Sequence, residues 1–173
     1  MGQRGKCPEE MSDFESASFF SQSGTHAVAG DKFAIVAAKY NEFITAELID
    51  AAVDGLRTHG VGDGDIELYR VPGAMELPLA AKWLAQSGKF VSIICLGSVI
   101  RGATTHYEVV VEASSNGISQ VALEFGIPTI FGVLTTENIE QGIERSDPRL
   151  GNKGLEFALS AIEMANLKRS ILG

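Results

Sequence analysis

Apolar residues fall along this chain in two alternating rhythms: short runs of nearly continuous hydrophobics, and longer stretches in which they recur every three or four positions. "FAIVAA" (33 to 38) reads as a buried strand, and Ile44, Leu48, Ala51, Ala52 and Gly55 then share one face of a helix that begins near Asn41. "GVGDGD" breaks the chain. "IELYRV" (66 to 71) is a second strand, "PGA" a turn, and "ELPLAAKWLAQ" a helix that tolerates Pro78 because it lies in the first turn. "FVSIICLGSVI" (90 to 100) is a third strand, apolar almost throughout, as expected where helices cover both faces of a parallel sheet. Tyr107, Val110, Val111, Ser114, Ile118, Val121, Ala122 and Phe125 then recur at helical spacing, which predicts a long helix despite Gly117 in its interior. "PTIFGVLTT" supplies a fourth strand, "ENIEQGIER" a short helix, "SDPRLGN" a loop and "GLEFALSAIEMANL" a final helix.

Strand followed by helix, four times over, predicts an α/β fold: an open four-stranded parallel sheet with right-handed crossovers, sandwiched between helices in three layers. Ligands of such sheets bind beyond the carboxyl ends of the strands. Residues 39 to 42, 72 to 76 and 101 to 106 are the loops whose composition suits that role. Residues 1 to 30 mix Ser, Gly and acidic residues without a sustained period, so they are expected as a flexible leader to a domain spanning 31 to 173. Phe14, Phe19 and Phe20 are its apolar exceptions.

Composition narrows the function. A chain of 173 residues with 45% hydrophobic and 21% charged residues has the balance of a single soluble domain. Its formal charge of −8 repels a phosphate backbone, so nucleic acid is not an expected partner, and a small anionic substrate would need a local cluster of donors. Cys7 and Cys95 offer neither a disulfide framework nor metal-ligand spacing, which suits a reducing cytoplasm. No run has the length of a membrane span, the first thirty residues lack the pattern of a signal peptide, and Lys6 breaks the N-myristoylation motif. Walker-type P-loop, GxGxxG, HExxH, GxSxG and paired CxxC motifs are all missing, so nucleotide-driven, metal and serine-hydrolase chemistries lack support.

The loops carry the candidate chemistry. In "RGATTH", Gly102 permits close backbone approach, Ala103 is small, and Thr104 and Thr105 bring hydroxyls and N–H groups to a helix start, where the macrodipole favours an anion. The same residues also make ordinary caps and turns. His106 can exchange protons near neutrality or serve as a surface histidine, and Arg101 can ligate phosphate or sit in an ion pair. Glu76, in the first turn after "VPGAM", can accept hydrogen bonds from polyol hydroxyls or stabilise the helix dipole. Tyr40 can stack on a flat heteroaromatic ring or pack at the core boundary. Arg145 and Lys153 flank a Pro- and Gly-containing loop and can hold a phosphate and a carbonyl, or simply be solvated.

The segments "YNEFIT", "VPGAMELPLAAK", "GSVIRGATTHYE", "GISQVALEFGIPTIFGVLTTENIEQGIER" and "GNKG", in this order and spacing, resemble the 6,7-dimethyl-8-ribityllumazine synthase family, over about Phe33 to Leu167. The resemblance implies a flavodoxin-like three-layer sandwich. It also implies an enzyme that joins 5-amino-6-(D-ribitylamino)uracil to 3,4-dihydroxy-2-butanone 4-phosphate, releasing phosphate and water without metal or organic cofactor. On this basis His106 is the proton-transfer histidine, Arg145 the phosphate-binding arginine, and Gly102, Ala103 and Thr104 the phosphate-binding turn. Tyr40 stacks on the pyrimidine with Asn41 beside it, Ala74 and Glu76 hold the ribityl chain with Met75 between them in a wall of the substrate pocket, and Val99 and Ile100 present backbone groups to the pyrimidine edge. Phe131 and Lys153 enter the pocket from a neighbouring subunit, together with that subunit's Arg145. A homopentamer, or a larger assembly of pentamers up to an icosahedral shell, is therefore expected, with riboflavin synthase as a further partner.

Three positions depart from the family's common pattern: Tyr40 replaces the usual Phe or Trp, Met75 stands where an aromatic is frequent, and Val109 replaces a common Tyr. Two rival readings keep the fold without this chemistry. One is a lumazine or flavin holder or shell protein without turnover, which loss of His106, Arg145 or Lys153 would favour. The other is an unrelated flavodoxin-like nucleotide binder, expected to be a monomer.

Overall fold

The computed structural model describes residues 24–173. Every strand candidate forms a strand: β1 (Phe33–Ala38), β2 (Ile66–Val71), β3 (Ser92–Ile100) and β4 (Thr129–Thr136). They make one parallel sheet in the order β2-β1-β3-β4, in register from Phe33 opposite Ile66 and Ser92, and from Ile93 opposite Thr129. The central strands read as continuous apolar runs because both their faces are covered. Phe33, Ile35 and Ala37 enter one core, with Ile94 and Leu96 from β3, while Ala34 and Val36 enter the other, with Ile93 and Cys95.

Among the described residues, five helices supply the two outer layers: α1 (Glu42–Thr58), α2 (Leu77–Gln86), α3 (His106–Phe125), α4 (Ile139–Ser146) and α5 (Lys153–Leu172). Helices α1 and α5 cover one face through Ile44, Leu48, Leu56, Ala158 and Ile162. Helices α2 and α3 cover the other through Leu77, Ala81, Val110, Ile118 and Val121. The architecture is the expected three-layer α/β sandwich.

Two glycines explain how closely the layers approach. A Cβ on Gly117 would lie 2.7 Å from Cβ and Cγ of Pro78, so the glycine inside α3 is where the α2 proline seats. A Cβ on Gly154 would lie 2.6 Å from the Leu48 carbonyl oxygen, so the first turn of α5 rests directly on α1.

Two of the differences from the predicted element boundaries have a clear physical cause. The third strand starts at Ser92 rather than Phe90: Val91 N–H donates to the Lys32 carbonyl at 2.8 Å, and Phe90 packs into the α2–α3 core just outside the ladder. The last helix runs on to Leu172, because nothing in "KRSIL" stops a helix and the first breaker is Gly173.

Within the stretch expected as a leader, residues 24–30 are bonded to the domain. Ala27 N–H donates to the His59 carbonyl (2.8 Å), and the Asn166 side-chain amide donates to the Gly24 and His26 carbonyls (2.6 and 2.9 Å). Arg169 makes two hydrogen bonds to the Asp31 carboxylate, at 2.7 and 2.8 Å. Residues 1–23, including Cys7, Phe14, Phe19 and Phe20, lie outside the described residues. Among the described residues no helix is long and apolar enough to cross a membrane.

Candidate active site

The strand order creates the site. From β1 the chain passes to β2 on one side, then crosses to β3 on the other, so the connections leaving β1 and β3 diverge and open a crevice at their carboxyl ends. Asn41 ties the two lips together. Its backbone is left-handed (φ 56°, ψ 47°), a conformation asparagine tolerates better than most residues, and its side-chain amide donates to the Ser98 carbonyl at 2.8 Å.

A cavity of about 430 Å³ occupies this crevice, lined by Tyr40 and Asn41 after β1, Gly73 to Glu76 after β2, Ser98 to Ile100 at the end of β3, and His106 and Val110 on α3. That size suits a small organic ligand. A larger hollow of about 550 Å³ lies along Asn116, Ser119, Gln120, Leu123 and Glu124, but all of these belong to α3, so no groups from a second element converge there. The crevice is the better candidate because four separate segments aim at it.

Tyr40 is 72% exposed, so its ring is a wall of the cavity rather than a boundary residue packed on the core. The ring lies over Gly73, where a Cβ would come within 2.9 Å of Tyr40 Cδ2. Gly73 N–H in turn donates to Glu76 Oε2 at 2.9 Å, fixing the carboxylate in the short 3-10 turn (Ala74–Glu76) that precedes α2. Glu76 thus satisfies a backbone donor and stands in the cavity wall. Met75 is exposed beside it.

The turn from Arg101 to Thr105 leads directly into α3, whose first residue is His106. His106 is exposed, and its backbone N–H points to Thr104 Oγ1 at 3.4 Å. Space above Gly102 is open, with nothing within 4 Å of a Cβ built there, so a ligand can approach the backbone next to the helix N-terminus. Arg101 is turned to other work. It pairs with Glu108 and, at 2.8 Å, with Glu137, and its guanidinium lies 4.2 Å from the Tyr107 ring centroid. Hydrogen bonds from Arg101 hold the Glu108 carboxyl below the usual range, and those same bonds raise the arginine further.

Of the residues singled out from sequence, Tyr40, Asn41, Ala74, Met75, Glu76, Val99, Ile100 and His106 line one cavity, and Gly102, Ala103 and Thr104 form the turn leading to its histidine. Arg145, Phe131 and Lys153 do not line it. Phe131 pairs with Cys95, three residues before Ser98, which sets it about 10 Å down the sheet from the nearest cavity-lining residue of β3. Lys153 begins α5 beside Leu48 on the opposite face of the sheet and pairs with Glu156 at 2.6 Å, while Arg145 is exposed in the last turn of α4.

Gly73, Ser98 and Val110 complete the lining and were not singled out. Val110 had a usable signal, lying one helical turn after His106 and so on its face. Gly73 is signalled only by the "PGA" turn, and Ser98 contributes its carbonyl to Asn41, which no side-chain pattern reveals.

The family model for 6,7-dimethyl-8-ribityllumazine synthase matches residues 30–169. The protein named 6,7-dimethyl-8-ribityllumazine synthase from Desulfotalea psychrophila is 58% identical over 138 residues, covering 80% of this chain and 89% of that relative. The match runs from the start of the domain almost through α5 and takes in every strand and every cavity-lining segment, and so the chain belongs to the 6,7-dimethyl-8-ribityllumazine synthase family.

Proposed function

We propose that this protein is the transferase its family membership names, condensing 5-amino-6-(D-ribitylamino)uracil with 3,4-dihydroxy-2-butanone 4-phosphate to 6,7-dimethyl-8-ribityllumazine, phosphate and water in riboflavin biosynthesis. The observation that carries the reading is convergence: an aromatic ring, a carboxylate, strand-end backbone and a histidine at a helix N-terminus surround one cavity. Tyr40 takes the pyrimidine ring, Val99 and Ile100 its polar edge, and Ala74 and Glu76 the ribityl chain, with Met75 between them in the pocket wall. Gly102, Ala103 and Thr104 receive the phosphate, where open space meets the N-terminus of α3.

The uracil's 5-amino group attacks the ketone and water leaves to give an imine. Loss of a proton and phosphate gives an enol, which tautomerises, and the ribitylamino nitrogen closes the ring with loss of water. His106 moves protons in the imine and elimination steps, and donors at the phosphate stabilise it as it leaves. Holding both reactants in one crevice replaces a bimolecular encounter.

The site is completed by a second subunit. Within one chain Phe131 and Lys153 stand away from the cavity, so they and Arg145 act in a neighbour's site, which a closed ring such as a homopentamer supplies. Exposed apolar side chains support such association: Leu79 and Trp83 on the outer side of α2, and Leu68 and Tyr69 on the edge strand β2. A cytoplasmic location and a partnership with riboflavin synthase belong to the same reading. The buried Cys95, whose thiol burial keeps un-ionised, suits a reducing compartment.

Steady-state kinetics with each substrate test the roles. Arg145→Ala should raise KM for the butanone phosphate on the order of ten- to a hundredfold with little change for the pyrimidine. His106→Ala should lower kcat by about a hundredfold or more while both substrates still bind. Equal weakening of both substrates in the first, or unchanged turnover in the second, removes that role.

A further inference from the structure

Two of the chain's three histidines meet at the end of the sheet opposite the cavity. Helix α1 has 17 residues, so its C-cap, His59, lies about 25 Å from Asn41 at its other end. The His59 ring is 5.6 Å from that of His26, centroid to centroid, with the planes tilted by 51°.

His59 Nδ1 lies 2.7 Å from the Gly55 carbonyl oxygen, with Thr58 Oγ1 3.1 Å away on the same nitrogen. A carbonyl only accepts, so Nδ1 carries the proton and the neutral ring keeps its lone pair on Nε2. A backbone carbonyl on one ring nitrogen is the arrangement that orients a histidine for metal binding through the other.

The spacing of the rings fits a shared ion. With metal–nitrogen bonds of about 2.0–2.1 Å and bond angles of about 110–120°, two imidazoles on one ion hold their centroids roughly 5–6 Å apart. His26 is exposed, so its ring is free to turn toward that point. Backbone bonds fix the pair independently of the rings, from Ala27 N–H to the His59 carbonyl and from Asn166 to the Gly24 and His26 carbonyls. Arginines flanking this end are compensated, Arg57 by Asp54 and Asp63 and Arg169 by Asp31.

We propose that His26 and His59 form a two-histidine site for a divalent transition-metal ion, which clamps residues 24–27 to the end of α1. Among the described residues no third His, Cys, Asp or Glu joins them to make a larger ligand group, so water completes the coordination. Imidazole donors select zinc, copper or nickel over magnesium or calcium. The site is structural and remote from the chemistry.

Zinc chloride titrated calorimetrically into the full chain, stripped with chelator and dialysed, tests the site. One zinc per chain should bind, at least tenfold more weakly in His26→Ala and in His59→Ala, and with unchanged affinity in His106→Ala and Cys7→Ser. Zinc should also slow hydrogen exchange of the Ala27 amide in the unsubstituted protein. His26→Ala removes an exposed ring, so it decides the matter even where His59→Ala weakens the end of α1. Absence of binding, binding that survives loss of either ring, binding lost with Cys7 or His106, or binding that leaves the Ala27 amide unchanged overturns the proposal.

Discussion

Gly73 shows how one residue type supports the site without touching chemistry. Its φ of −148° is extended backbone that any residue adopts, so glycine is not needed there for conformation. It is needed for space, since a Cβ would press on the Tyr40 ring at 2.9 Å and on Glu76 Oε2 at 3.3 Å. Tyr40 is exposed enough to swing aside, so Gly73→Ala should leave thermal stability nearly unchanged yet weaken pyrimidine binding roughly two- to tenfold by spoiling the stacking wall. Unaltered pyrimidine KM would show that Tyr40 does not depend on Gly73. Asp147 is a second case. Arg149 donates from Nη2, Nε and its backbone N–H to the carboxylate at 2.7, 3.0 and 2.8 Å, which holds the Asp147 pKa at about 2. A lowered folded-state pKa stabilises the loop above the unfolded value of 3.8, and that contribution disappears as pH falls through about 2. The difference in urea midpoint between the protein and Asp147→Asn should therefore be constant near neutrality and close between about pH 4 and pH 2. A gap that persists at pH 2 would assign the stabilisation to something other than this carboxylate.

Among the elements, the central strands were the most legible, because a strand covered on both faces is apolar at every position and no alternative period competes. The loops that follow the strands are then bounded, and composition singles out residues 39 to 42, 72 to 76 and 101 to 106 among them. Contacts between elements were not legible. Gly117 looked like a defect in α3, and Pro78 like a residue merely tolerated in α2, yet the two are one contact, with the proline ring seated where a side chain would be. Gly117→Ala therefore pits a gain in helix propensity of about 1 kcal/mol against overpacking that costs about 1–3 kcal/mol. A net fall in melting temperature is expected. A rise would mean that α2 and α3 separate readily and that the contact contributes little. Arg101 was ambiguous for the same reason: its partners Glu108 and Glu137 come from α3 and from the connection after β4, and only the fold reveals that they converge.

At the scale of the molecule, the family resemblance divides the site residues between neighbouring subunits, and within one chain the fold keeps the two groups apart. Eight of the site residues line the cavity, while Phe131, Arg145 and Lys153 lie elsewhere on the same chain. Spacing along a sequence carries no information about whether two motifs meet within a subunit or between subunits, so that division rests on the family resemblance, and the register of β4 and the seating of α5 agree with it by standing Phe131 and Lys153 away from the cavity. If the site is shared between subunits, His106→Ala and Arg145→Ala chains, each strongly impaired alone at low butanone phosphate, should regain activity when dissociated and reassembled together, because some sites then receive both intact groups. Failure to regain any activity in a demonstrably mixed assembly would return both groups to a single chain. The most direct test of the account is the reaction itself: purified protein with the ribitylaminouracil and the butanone phosphate, following lumazine fluorescence and phosphate release against the uncatalysed background. Protein-dependent formation of both in equal amounts, slowed about a hundredfold or more by His106→Ala, is the predicted result, and tight lumazine binding with no rate above background would contradict it.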